Sequence, residues 1–338
     1  MHFLITGHTG FKGSWLSLML QIRGHTVSGI SLNPSQNSLF VKAEIGKIFK
    51  NEIRQDIRNY ESLKKEFMEI NPDVVIHLAA QPLVRESYKN PKETYETNII
   101  GTLNVLNASN HCENLKAQLI ITTDKVYKNN NQIKGYLETD LLGGNDPYSA
   151  SKSAADEITQ TWLRNVNAIP TGIARAGNVI GGGDFNKDRL VPDLVESFIQ
   201  GNAPVLRNPQ SIRPWQHVLD CLSGYLDFID MLLKSGKSEI LNFGPSTEEI
   251  YTVEQVLLEM SSYFPNSGEW IFDKSNNPHE SEILLLNSNK ARRLLDWKDK
   301  LNFHESIRWT AEWYKKISKG MDAFSATIID IENFEKLI

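Results

Sequence analysis

Apolar and polar positions over the first 125 residues alternate between two periods. FLIT (3–6) and TVSGIS (26–31) read as short strands, and GSWLSLMLQIRG (13–24) between them carries helical spacing. YESLKKEFMEI (60–70) is amphipathic at the helical period and stops ahead of Asn71-Pro72. DVVIHLAA (73–80) is apolar almost throughout, the pattern of a strand covered on both faces. A long helix is predicted over 94–111 and a further strand over 117–123. Strands alternating with helices predict an α/β fold on a parallel, doubly wound sheet.

Past about residue 180 the pattern loosens. Gly, Pro and Asn interrupt it at 181–188, 201–214, 242–246 and 265–281, while helical spacing returns at 253–263, 288–295 and 304–319. The 338 residues suffice for two domains. The expected arrangement is a Rossmann-type domain over 1–180 and a smaller α/β lobe over 181–338, on the C-terminal side. Because no Gly/Ser linker separates them, the two should interleave.

Bulk properties narrow the function little. With 40% hydrophobic and 23% charged residues the chain resembles an ordinary globular protein, and a net charge of −5 gives no electrostatic case for nucleic acid or an anionic membrane. Cys112 and Cys221 fall in helix-like text and are expected to be reduced, buried thiols. No run approaches the ~20 apolar residues of a membrane span. The N-terminus enters a strand without a basic-then-apolar leader, so the cytoplasm is the expected location.

Chemistry enters at TGHTGFKG, which spaces Gly7, Gly10 and Gly13 as G-x-x-G-x-x-G between a strand and a helix. Glycines there let the backbone approach a dinucleotide's pyrophosphate, and the helix N-terminus supplies N–H donors. The acid that would grip a ribose 2′-hydroxyl should end the second strand. That end reads Ser31-Leu32-Asn33-Pro34, with neither carboxylate nor arginine, so the rule does not separate NAD from NADP. Asp56 is a candidate for the adenine amino group, and equally for a helix cap ahead of 60–70. In DPYSASK, Tyr148 precedes Lys152 by four residues and shares its helix face. A nearby ammonium is expected to lower the phenol pKa and make a base usable near neutrality. In ITTDKVY (121–127) an acid and an amine, Asp124 and Lys125, stand side by side at a strand end, as a solvated turn, an ion pair or proton-handling groups.

Taken together with HLAAQPLVRESY (77–88), RAGNVIGGGDF (175–185), DRLVPD (188–193), RNPQSIRPWQHVL (207–219) and NPHES (277–281), these motifs make the sequence resemble the extended short-chain dehydrogenases/reductases. Within that family it is most similar to the CDP-glucose 4,6-dehydratases. The resemblance implies a cytoplasmic homodimer, paired through the Tyr-x-x-x-Lys helix, that binds NAD and a nucleotide sugar, with no metal. It implies hydro-lyase chemistry yielding a 4-keto-6-deoxy sugar of the kind used in surface polysaccharide. Cofactor contacts would come from Gly7, Gly10, Phe11, Lys12, Gly13, Asp56, Ile57, Leu78, Ala79, Ala80, Tyr148 and Lys152. Tyr148 would take the proton of the sugar 4-hydroxyl, Thr123 would orient that oxygen, and Asp124 would donate a proton to the departing C6 hydroxyl. At C5, related dTDP-glucose dehydratases use a glutamate where this chain has Lys125. A charged lysine has no lone pair, so either neutral Lys125 is the base or Lys125 stabilises the enolate while Glu138 is the base. Arg213 would hold the nucleotide diphosphate, with His217 near it and Asn178 on the diphosphate or sugar. Arg189 and Arg175 are secondary candidates; Trp215 reads first as core packing and otherwise as stacking on the base or a ring, and His279 and Glu280, on a loop, are further candidates for lining the same cleft. His217 reads equally as a structural histidine. A sugar-nucleotide 4-epimerase, a dehydratase for another sugar such as an activated heptose, and a non-catalytic NAD-binding scaffold are the alternatives.

Overall fold

The computed structural model describes residues 1–165, 169–246, 250–265, 269–273, 275 and 281–338. His279 and Glu280 lie outside them. Strand β1 (His2–Thr6) leads through the glycine turn into helix α1 (Phe11–Ile22), and β2 (Thr26–Ser31) follows. After α2 (Leu39–Lys42) come β3 (Asn51–Arg54), α3 (Tyr60–Ile70) and β4 (Val74–His77). Next are α4 (Val84–Lys89), α5 (Pro91–Tyr95), a single π turn (Glu96–Ile100) and α6 (Gly101–Ser109). β5 (Ala117–Thr123), α7 (Pro147–Asn165) and β6 (Thr171–Ala176) complete the first half.

In the second half, β7 (Val179–Ile180), α8 (Leu190–Gln200), β8 (Val205–Leu206), β9 (Ile212–Arg213) and β10 (Gln216–His217) precede α9 (Val218–Ser235). Then come β11 (Glu239–Phe243), β12 (Tyr251–Thr252), α10 (Val253–Ser261), β13 (Ile271–Phe272) and α11 (Asn289–Leu295). The chain ends in α12 (Phe303–Ser318) and α13 (Ala323–Glu335).

Seven strands form one parallel sheet in the order β11-β6-β5-β4-β1-β2-β3. Its β-period sorts side chains onto two covered faces. Phe3 and Ile5 on β1, with Val74 and Ile76 on β4, join a core shared with α1, α9 and α12. Leu4 and Val75 point the other way, into a core with Leu63 and Phe67 of α3 and Val105 of α6. β11 brings the second half of the chain into this sheet, with Leu241 opposite Ala174.

Several predicted elements differ. The strand expected over 73–80 stops at His77, because Leu78–Ala80 leave the ladder and turn along the sheet's edge. The helix expected over 94–111 begins earlier, at Pro91, and is interrupted by the π turn. That turn aims Asn98 at the active-site framework. Its Nδ2 donates to the Gln81 carbonyl (3.1 Å) and to Ser151 Oγ (2.8 Å), and its Oδ1 accepts from Gln81 N–H (2.8 Å). The loop after β4 is thereby tied to α7. Cys112 lies just beyond α6 and Cys221 within α9, both buried free thiols. Among the described residues no helix is long and apolar enough to cross a membrane.

Candidate active site

Because the sheet is parallel, β1, β4, β5 and β6 all end on one edge, and a cleft of about 950 Å³ opens there. Gly7 sits at φ +78°, and a Cβ on it would lie 2.6 Å from the Ala79 nitrogen. A Cβ on Gly13 would lie 2.4 Å from the Gly7 carbonyl oxygen. The turn therefore crosses the exit of β4 at backbone contact, which only glycine permits. Gly10 precedes α1 without a side-chain cap, leaving the helix's first N–H groups to the cleft. A cradle without side chains, facing open N–H donors, fits a dinucleotide pyrophosphate. Gly7, Gly10, Phe11, Lys12, Gly13, Asp56, Ile57, Leu78, Ala79 and Ala80 all line this cleft. So do Ser31, Leu32 and Gln55. Asp56 is gripped by Arg58 (2.6 Å), which holds its carboxyl below the ordinary range. It does not cap α3; Asn59 does, accepting from Ser62 N–H (3.3 Å).

Four of the catalytic candidates, Thr123, Lys125, Tyr148 and Lys152, line the same space, while Asp124 is buried between two of them and is not a lining residue. Thr123 ends β5, and Asp124–Val126 form a 3-10 turn. Asp124 is 0% exposed; its Oδ1 accepts from Thr123 Oγ1 (2.9 Å) and Lys125 Nζ (3.2 Å), while Oδ2 has no partner among the described residues. The acid and amine are thus an ion pair at the cleft wall, with Thr123 and Lys125 lining it. Tyr148 and Lys152 come from the first turns of α7, whose start is pinned by Tyr148 N–H donating to Ser87 Oγ (3.1 Å). Lys152 Nζ donates to the Ile121 carbonyl (2.8 Å). One expectation is corrected here: the Tyr148 phenol is not lowered. Burial pushes it up to about 12, opposed by the neighbouring Thr123 hydroxyl. Burial, helped by the Lys12 charge, brings Lys152 down to about 8.

Asn178, Arg189, Arg213 and Trp215 also line the cleft. Arg189 pairs with Asp184 (2.8 Å), and Arg213 donates to the Ile212 carbonyl (2.8 Å). His217 is not among the lining residues. It is 1% exposed, packs edge-on to Trp15 and Trp309, and caps α9 by accepting from Leu219 N–H (3.3 Å). Burial takes its imidazole down to about 3, so it is a neutral structural group. Arg175 is also buried away from the cleft, held by Asp156 (2.7 and 2.8 Å) and by the Tyr127 hydroxyl (2.8 Å). Glu138 does not line the cleft either; its Oε1 accepts from Asn242 N–H (2.9 Å). Arg85, Asp193, Leu206 and Arg207, absent from the sequence-based set, do line it. Arg85 stands within HLAAQPLVRESY, Asp193 within DRLVPD and Arg207 at the head of RNPQSIRPWQHVL, while Leu206 falls in no motif.

The family described as GDP-mannose 4,6 dehydratase matches residues 4–310. The chain belongs to that family. Within it, CDP-glucose 4,6-dehydratase of Salmonella typhimurium is 41% identical over 341 residues, covering 98% of this chain and 95% of the relative. The dTDP-glucose 4,6-dehydratase 1 of Escherichia coli is 27% identical, covering 95% of each. Among solved structures, UDP-glucose 4-epimerase of Thermotoga maritima with UDP-glucose superposes at a TM-score of 0.83 and 24% identity, over 94% of this chain and 100% of that one. The dTDP-glucose 4,6-dehydratase of Bacillus anthracis in complex with NAD gives 0.77 at 24%, over 94% and 98%. At such identities these two structures show the shared Rossmann-type fold, as the strand–helix alternation predicted.

Proposed function

We propose that the chain is an NAD-dependent nucleotide-sugar 4,6-dehydratase, a hydro-lyase that converts CDP-glucose to CDP-4-dehydro-6-deoxyglucose. The 41% identity to a CDP-glucose 4,6-dehydratase across 98% of the chain carries this reading. The convergence of Thr123, Lys125, Tyr148 and Lys152 on one cleft, beside a cradle fit for a dinucleotide, supports it. A 4-epimerase would leave the Asp124–Lys125 pair without a task.

NAD, held by the glycine turn and Lys152, supplies when bound a two-electron acceptor that returns what it takes. Thr123 orients the sugar 4-hydroxyl, and Tyr148 takes its proton as the phenolate while C4 is oxidised; burial opposes that form, so the step depends on positive charge beside the phenol, for which Lys152 on the same helix face is the candidate. The new ketone acidifies C5–H. Of the two candidates at C5, Lys125 lines the cleft and Glu138 does not, so the C5 proton falls to Lys125, which can accept it only when the proton shared by the pair rests on Asp124. Asp124 gives a proton to the departing C6 hydroxyl, and its buried, unpartnered Oδ2 suits an acid kept from water. Arg213 and Asn178 take the diphosphate. Residues 1–180 thus serve mainly the cofactor and the chemistry, and 181–338 mainly the sugar nucleotide, in a cytoplasmic homodimer whose copies meet on α7.

The test is incubation of CDP-glucose carrying deuterium at C4 with enzyme and NAD. The label is expected at C6 of a product that shows the ultraviolet absorbance of a 4-keto sugar in alkali. Label lost to solvent, or kept at C4, would exclude the reaction.

A further inference from the structure

The far wall of the cleft contains an acid that the steps above do not use. Asp193 lies on α8, four residues and about 6 Å past Arg189 at 1.5 Å per residue. Arg189 is within electrostatic reach of Tyr148, so the sugar lies toward the start of α8 and the cleft continues along the helix through Asp193 and Ser197. Pro204, Leu206 and Arg207 line the same cleft, with Leu206 buried. This leaves a partly apolar slot where the nucleoside of a diphosphate sugar falls.

Asp193 is half-buried, and among the described residues no lysine or arginine lies within ion-pair distance of it. Arg207, whose charge reaches it, is drawn to Asp188 (3.7 Å), as is Arg85 (3.3 Å). Burial, and then Asp188, push the Asp193 carboxyl up to about 6 against the pull of Arg207 and the Asp188 N–H, so it is ionised at neutral pH in a setting that on balance opposes the charge. An incompletely compensated acid lining the path of an anionic ligand gains from a ligand that presents a donor to it.

We infer that Asp193 selects the nucleobase, its carboxylate accepting a hydrogen bond from the 4-amino group of cytosine. Uracil and thymine carry a carbonyl oxygen at that position, and acceptor against acceptor is repulsive. This rests on the reading of the chain as a nucleotide-sugar dehydratase and adds what makes it a cytidylyl one.

The NAD-loaded protein is titrated with CDP, UDP and dTDP by calorimetry. The wild type should bind CDP tenfold to a hundredfold more tightly than UDP or dTDP, the range for one hydrogen bond to a charged group. D193N, whose amide can also donate to a carbonyl, should shrink that ratio at least tenfold, chiefly by gaining UDP and dTDP. A measurement independent of any variant's folding uses wild type with 2-pyrimidinone riboside diphosphate, which lacks the amino group and should lose most of the CDP preference. An unchanged ratio in D193N, full affinity for the pyrimidinone, or the same levelling by E196Q instead would overturn the assignment to Asp193. Wild type that binds no nucleoside diphosphate would instead remove the dehydratase reading beneath it.

Discussion

At the scale of single residues, Asp124 and Tyr148 divide the reaction between them. Asp124→Asn keeps the shape beside Thr123 and Lys125 but removes the acid. It should slow loss of the C6 hydroxyl by about a hundredfold or more while sparing C4 oxidation, general acid catalysis being worth ~10²–10⁴. Stopped-flow absorbance of the reduced nicotinamide against product release separates the two, and equal losses would contradict the acid role. Tyr148→Phe should abolish C4 oxidation at neutral pH, read in the same experiment. Asp193 makes a further prediction on stability. Its folded pKa is raised from 3.8 to about 6, so folding favours its protonated form. That contribution is present below about pH 4 and lost as pH rises through 6. D193N should therefore melt above wild type at pH 7.5, with the difference closing toward pH 4. A constant difference across thermal melts from pH 4 to 8 would remove the titration from the account. How legible such residues are in sequence depends on locality. Tyr148 and Lys152 share one helix turn, and the glycines one loop, so spacing alone exposes them. His217 stands two residues from the cleft-lining Trp215, yet the start of α9 carries its ring into the core. Asp193 and Arg207 come to line one cleft only through tertiary packing, which no spacing encodes.

At the scale of elements, the site depends on how the glycine turn and α7 are fixed. Gly7→Ala would place a methyl into the Ala79 backbone at an unfavourable φ, so it should weaken NAD binding severely and lower the melting temperature. Fluorescence titration with NAD beside a thermal melt checks both. The Arg175–Asp156 pair clamps β6 to α7, with both side chains fully buried. Asp156→Ala leaves a buried guanidinium uncompensated and should cost about 3–5 kcal/mol in urea unfolding. The same elements show where pattern reading reaches its limit. β2, α3 and β5 fall where their periodicity puts them, because each buries a regular face. β3 escapes notice since NEIR is four residues of an exposed-to-intermediate edge, without an alternating core face. The π turn is likewise silent in sequence: what holds it is the hydrogen bonding of Asn98 to residues distant in the chain.

For the whole molecule, assembly is the open expectation. α4, α5 and the π turn pack beside α7, and Tyr88, Tyr95 and Ile100 stand exposed on them. A second copy docking on this face would cover them, so light scattering should give twice the 38.4 kDa chain mass, and charged substitutions at Tyr95 and Ile100 should return it to one. The order of the central sheet also bears on how the chain is made. Six of its strands are complete by residue 176, but the seventh, β11, is not reached until residues 239–243. During synthesis at ~5–20 residues per second, β6 waits several seconds on the ribosome as an open edge. A nascent chain stalled in that interval would offer its backbone to any neighbouring strand. Translation pauses between codons 180 and 239 are therefore where premature aggregation of this enzyme should begin.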